Sequence, residues 1–175
     1  CFLIVVITLN NMKNIMNENR INQLITFLDS LKIKSKRFSE IIKTQKSSII
    51  EDFNRALTHS SVDKIKNYEK LEFFGDAVLR LAASIFIEKK YPQMNVGERS
   101  ELRAQIVSDE WLTKLGRKIG VEKLILKGPK ALNDENSKNT IIGEATEALI
   151  GAIYKCFNSI EEVNLWLNDI WEKDS

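Results

Sequence analysis

Between Tyr68 and Pro92 the chain runs through one unbroken helical pattern, and this stretch constrains the fold more than any other. Proline lacks the N–H that a helix interior uses, so Pro92 stops the pattern just after Tyr91. At about 100° per residue, Leu71, Phe74, Val78, Leu81, Ala82 and Ile85 gather into one apolar stripe, the face of a helix that packs on a core. Glu69, Glu72 and Asp76 share a face about 60° wide on nearly the opposite side.

The same periodicity marks a helix over residues 20–31, carried by Ile21, Leu24, Ile25, Leu28 and Leu31, and a shorter one over 49–57 that ends at Thr58-His59-Ser60-Ser61. Further helices are predicted over 97–107, 109–119 with Gly120 closing it, 139–157 and 159–171, with a polar stretch at 127–138. Seven Gly and two Pro in 175 residues leave little punctuation, and the β-branched residues fall inside helical patterns. The expected fold class is all-α. With 43% hydrophobic residues the chain can bury one domain's core. The apolar run Cys1–Leu9 is too short to span a bilayer, which takes about 20 residues. Residues 1–15 are therefore read as an upstream or disordered segment, in preference to a lipid-modified Cys1, and residues 16–173 as the folded domain.

The later helix repeats the acidic design: Glu144 and Glu147 stand three residues apart on one side, while Ile142, Leu149, Ile153 and Phe157 line the other. If both helices pack through their apolar stripes, the acidic faces converge at the edge of the core. Stacked carboxylates repel and raise one another's pKa, so such a cluster costs stability unless a cation neutralises it. A single His and two Cys exclude imidazole-rich zinc sites, zinc ribbons and a disulfide framework, so any metal must be held by oxygen. Oxygen ligands suit Mg²⁺, with Mn²⁺ as its substitute. The plainer reading is a pair of solvated faces, matched locally by Lys70, Arg80 or Lys155.

Residues Glu69-Lys70-Leu71-Glu72-Phe73-Phe74-Gly75-Asp76-Ala77-Val78-Leu79 resemble the signature helix of the ribonuclease III family, E-R-L-E-F-L-G-D-[AS]-V-L. Ala56-Leu57-Thr58-His59-Ser60-Ser61 is similar to the family's A-L-T-H-x-S, and Leu102-Arg103-Ala104-Gln105-Ile106-Val107-Ser108 to its L-R-A-x-L-V-S. The stretch from Thr140 to Tyr154 resembles the second acidic motif, S-I-L-A-D-x-x-E-A-L-I-G-A-I-Y. The resemblance implies a helical endonuclease domain forming a two-fold homodimer and cutting double-stranded RNA, in RNA processing, to 5′-phosphate and 3′-hydroxyl ends. It places metal-binding carboxylates at Glu72, Asp76, Glu144 and Glu147, with Asp76 and Glu147 as the catalytic pair. Glu144 stands where the family usually has Asp, one methylene shorter. Glu69 matches a carboxylate associated with substrate and the dimer interface, and Phe73 an aromatic that plugs into the partner subunit. The family often appends a double-stranded-RNA-binding domain, for which these 175 residues leave no room.

The net charge of +2 exerts no strong global pull on nucleic acid or membrane, so RNA contact must come from local patches. Lys64, Lys66 and Lys70 beside the signature, and the mid-chain cluster Lys114, Arg117, Lys118, Lys123, Lys127 and Lys130, are the candidates, with Lys127 and Lys130 favoured in that cluster. His59 reads as a capping or hydrogen-bonding residue, Cys156 as core, and Trp111, Trp166 and Trp171 as packing residues. The expected compartment is the cytoplasm, with no membrane association. Two rivals accompany this reading: a catalytically degenerate domain of the same fold that binds RNA or protein, and a helical nucleotide pyrophosphohydrolase, which also sets ExxE pairs on packed helices.

Overall fold

The computed structural model describes residues 18–35, 38–40, 47–132 and 137–174, so the segment 1–15 lies outside the described residues. Helix α1 covers 18–30, and residues 38–40 are helical. There follow α2 (Ser47–Ala56), α3 (Glu69–Lys90), α4 (Val96–Ile106), α5 (Asp109–Ile119), the short α6 (Pro129–Leu132), α7 (Lys138–Phe157) and α8 (Ile160–Asp174). A 3₁₀ turn at Val121–Lys123 follows α5. Among the described residues the only β pairing is an isolated parallel bridge between Thr58 and Leu126. No described helix is long and apolar enough to cross a membrane.

Local chemistry sets the helix ends. Asn95 and Glu98 form a capping box at the start of α4, each side chain accepting the other's backbone N–H. The Ser108 hydroxyl accepts from Trp111 N and starts α5, and Gly120, with φ of 88°, ends it in the left-handed conformation that glycine adopts without a Cβ penalty.

Helix α7 is the centre of the domain. Ile141, Ile142, Ala145, Ala148, Leu149, Ile150, Ala152 and Ile153 are all buried, so most of its circumference is covered. Its most extensive neighbour is α3, followed by α5 and α2, and α8 also packs on both α3 and α7. The α3–α7 crossing is backbone on backbone. A Cβ on Gly75 would overlap the carbonyl oxygen of Glu147, and one on Gly151 would lie 2.6 Å from the carbonyl oxygen of Leu71. Only glycine permits that approach.

This crossing turns α3 relative to the stripe expected from sequence. Its buried face runs through Leu71, Gly75, Val78, Leu79, Ala82, Ala83, Phe86 and Ile87. Leu81 is 51% exposed and Phe74 37% exposed, because the backbone contact at Gly75 turns the glycine's side of α3 toward α7. Glu72 and Asp76 therefore border the buried face instead of lying opposite it, and both are partly covered. The tryptophans pack as expected: Trp166 and Trp171 are buried, and Trp171 stacks at a tilt near Phe86 and Trp111.

Candidate functional site

Beside the crossing, α3, α5 and α7 enclose an open cleft of about 520 Å³. Glu72 from α3 and Glu144 and Glu147 from α7 line it together, so side chains more than 70 positions apart in sequence share one wall. Asp76 is one turn along α3 from Glu72 and outside that lining, and its Oδ1 accepts from Arg80 Nε at 2.7 Å. Glu69 is exposed, yet its charge acts on Glu72.

The electrostatics of the group are those of carboxylates held too close. Burial, then the neighbouring charges of Glu144, Glu69 and Asp76, push Glu72 from an ordinary value of 4.5 up to about 7. Glu147 also rises to about 7, through burial and then Asp76, Glu72 and Asp109, with Arg80 opposing. Glu144 is engaged differently: the hydroxyl of Tyr68, a residue only 2% exposed, donates to its Oε2 at 2.6 Å. Burial and that hydrogen bond push the phenol's own pKa upward, so it stays a donor.

Among the described residues no three His, Cys, Asp or Glu side chains close into a ready-made metal cage. The donor set nonetheless fits a hard divalent cation. It is all carboxylate oxygen, two of its members have their charged forms disfavoured by burial and then by neighbouring carboxylates, and the cleft is open to solvent. Mg²⁺ keeps several waters and needs only a few protein oxygens, so a partial set of this kind is sufficient.

The other expected site residues divide by place. Phe73 is 86% exposed on α3. Lys66 and Lys70 line a different cleft of about 430 Å³, together with Arg55 and Lys155. Lys66 is paired with Glu51 at 3.2 Å, and Lys64 is exposed. Lys127 is half-buried and its charge helps to lower the pKa of Glu122; the side chain of Lys130 lies outside the described residues. Lys155 pairs with Asp52 at 2.9 Å and not with the acidic faces, whereas Arg80 does pair with one of them.

Three cleft or site residues, Asp109, Glu110 and Tyr68, escape the sequence reading. Asp109 and Glu110 line the cleft, but acids in the first turn of a helix are expected from its dipole and carry no separate signal. Lys114 and Arg117, members of the mid-chain basic cluster, are the cations on the cleft wall. Lys114 pairs with Glu110 at 2.6 Å, and Arg117 donates to Asn139 Oδ1 at 2.6 Å. Tyr68 caps the start of α3, and its contact with Glu144 on α7 is one that periodicity does not report. His59 behaves as a hydrogen-bonding loop residue: Ser61 N donates to its Nδ1 at 3.0 Å, and its ring meets Tyr68 edge-on.

A family model described as ribonuclease-III-like matches residues 50–163. The chain is 43% identical over 168 residues to Ribonuclease 3 of Prochlorococcus marinus, covering 96% of this chain and 67% of that one. It is 40% identical over 114 residues to Ribonuclease 3 2 of Synechocystis, covering 65% of this chain and 47% of the relative, so it spans about half the length of that protein. Among solved structures, the nuclease domain of ribonuclease III from Campylobacter jejuni superposes with a TM-score of 0.66 at 30% identity, over 74% of this chain and 86% of that one. Dicer from Pichia stipitis does so with a TM-score of 0.59 at 26% identity, over 70% of this chain and 54% of that one.

Proposed function

The chain belongs to the ribonuclease-III-like family, and on that premise we propose that it is a divalent-metal-dependent endoribonuclease that cuts double-stranded RNA in RNA processing, leaving 5′-phosphate and 3′-hydroxyl ends. The observation that carries the proposal is the convergence of Glu72, Glu144 and Glu147 on one open cleft, with Asp76 close enough to raise the pKa of Glu147.

In this reading Glu72, Asp76, Glu144 and Glu147 hold Mg²⁺, for which Mn²⁺ substitutes. Bound there, the cation would lower the pKa of a water nucleophile, orient the scissile phosphate and neutralise charge on the leaving oxygen. The protein's share is positional. The glycine crossing fixes the separation of α3 and α7, Tyr68 holds the Glu144 carboxylate, and Asp76, paired with Arg80 through Oδ1, would have to leave that pair to offer this oxygen to the ion. Lys114 and Arg117 on the opposite wall offer donors to RNA phosphates. Double-stranded RNA is recognised mainly by shape, phosphates and 2′-hydroxyls, for which dispersed cations suffice. The exposed Phe73 face pairs with a second copy of the chain, and the dimer acts in the cytoplasm. The pyrophosphohydrolase rival explains the carboxylates but has no support from the family match.

Structured RNA incubated with the protein and Mg²⁺ tests the proposal. Metal-dependent cleavage is expected, with Glu147→Gln and Asp76→Asn reduced by several orders of magnitude. Parent-like cutting by those variants, or none by the parent, rejects it. Retained Mg²⁺ binding without turnover in a dimeric parent selects the degenerate-domain rival instead.

A further inference from the structure

Tyr68 ties the two carboxylate-bearing helices together. Its main chain starts α3: its carbonyl accepts from Leu71 N and Glu72 N, each at 2.9 Å. Its side chain crosses to α7, where the hydroxyl meets Glu144 Oε2 at 2.6 Å. We propose that Tyr68 is a positioning residue of the carboxylate site, fixing the Glu144 carboxylate relative to Glu72 so that the pair is pre-set for a divalent cation. The inference rests on the metal-dependent reading above.

Three constraints make the phenol a rigid arm. The ring is buried. Its backbone N–H donates to Thr58 O at 3.0 Å, and Thr58 lies in the loop bridged to Leu126. The His59 imidazole stands edge-on at 5.6 Å, itself fixed by Ser61. Glu144, by contrast, has three side-chain torsions and is only half covered, so without an anchor it samples several rotamers. Ordering a flexible ligand at the moment of binding lowers affinity, and an anchored one avoids that loss. Packing alone would be met by phenylalanine, which fills the same space; the hydroxyl is the part that serves Glu144.

The test is Tyr68→Phe in the full chain, read by direct Mn²⁺ titration, by thermal melting in chelator and by RNA cleavage across Mn²⁺ concentration. Loss of a hydrogen bond to a metal ligand typically weakens metal binding by roughly 10–100-fold, and a loss on the order of tenfold is expected here. Melting in chelator should stay close to the parent's, and cleavage should recover at saturating Mn²⁺. In a Glu144→Asp background, whose shorter arm withdraws the carboxylate from the phenol, the same change should have little effect on affinity. If the parent binds Mn²⁺ and cuts RNA while Tyr68→Phe binds Mn²⁺ equally well, the inference fails and the functional reading stands, whatever the melting shows. If the parent neither binds nor cuts, both fail. Should Tyr68→Phe not fold, His59→Ala, which removes the edge-on support and leaves the hydroxyl, is expected to weaken Mn²⁺ binding by a smaller factor; unchanged affinity there overturns the proposal.

Discussion

The α-carbon of Gly75 faces the main-chain carbonyl of Glu147, with no room between them for a side chain. One partner is the residue before Asp76, and the other is itself a cleft carboxylate. The contact is reciprocated at Gly151, where an added Cβ would lie 3.2 Å from Gly75 N. The distance between the two acidic groups is therefore set by absent side chains, and it changes if either glycine gains one.

Gly75→Ala is expected to destabilise the fold by about 2–3 kcal/mol, the upper part of the roughly 1–3 kcal/mol usual for forcing atoms into a packed core, even though alanine gains up to about 1 kcal/mol in helix propensity. Chemical denaturation checks this. An unchanged midpoint would mean that α3 can slide without cost. The folded fraction should also lose metal affinity, since separating the helices separates Glu72 from Glu147.

The raised pKa values of Glu72 and Glu147 predict an unusual pH profile. Each carboxyl binds its proton more tightly folded, at about 7, than unfolded, near 4.5, so the stability they contribute is complete below 4.5 and lost as pH rises through 7. The melting temperature in chelator should fall between pH 5 and 8, and the double substitution Glu72→Gln with Glu147→Gln should flatten that fall. Both groups are partly solvated, so the effect is smaller than an unscreened shift implies. Mg²⁺ needs the ionised forms, so its binding should strengthen over the same interval.

RNA binding by this chain is expected to be weak and strongly salt-dependent, because few phosphates are neutralised. Lys114→Ala and Arg117→Ala should each reduce the slope of log affinity against log salt by about 0.7–0.9 if each meets one phosphate. Unchanged slopes would remove the α5 wall from the RNA path and direct attention to Lys66 and Lys70 at the other cleft.

Phe73→Asp tests the exposed face. A phenylalanine 86% exposed in a single chain is a natural anchor for a partner, and a charge placed there should convert a dimer to monomers in sedimentation velocity without loss of helix content. Unaltered sedimentation would place any dimer contact elsewhere.

The helices were legible from periodicity because their ends carry punctuation: Pro92, Gly120 and the Asn95–Glu98 box fall close to the breaks. That Glu72, Glu144 and Glu147 come to one cleft was legible through the motif spacing; that Asp76 is outside the cleft lining was not. The direction in which α3 presents them was not. Apolar bulk points to Phe74 and Leu81 as core, whereas backbone contact at Gly75 rewards smallness and rotates both toward solvent. The role of Tyr68 was illegible for a related reason: the Glu144 it touches belongs to another element, and one-helix periodicity holds no record of that.

The Tyr68–Glu144 bond spans 76 positions of sequence. Helical turns form from neighbours and can appear early, but this bond waits on closure of a long loop, whose entropic cost precedes any reward. The carboxylate group therefore exists only once the domain has its final topology, and an unfolded chain presents the same acids scattered. A divalent cation that binds the assembled group shifts the folding equilibrium by mass action, and so acts as a thermodynamic check that the chain has folded correctly before it meets RNA.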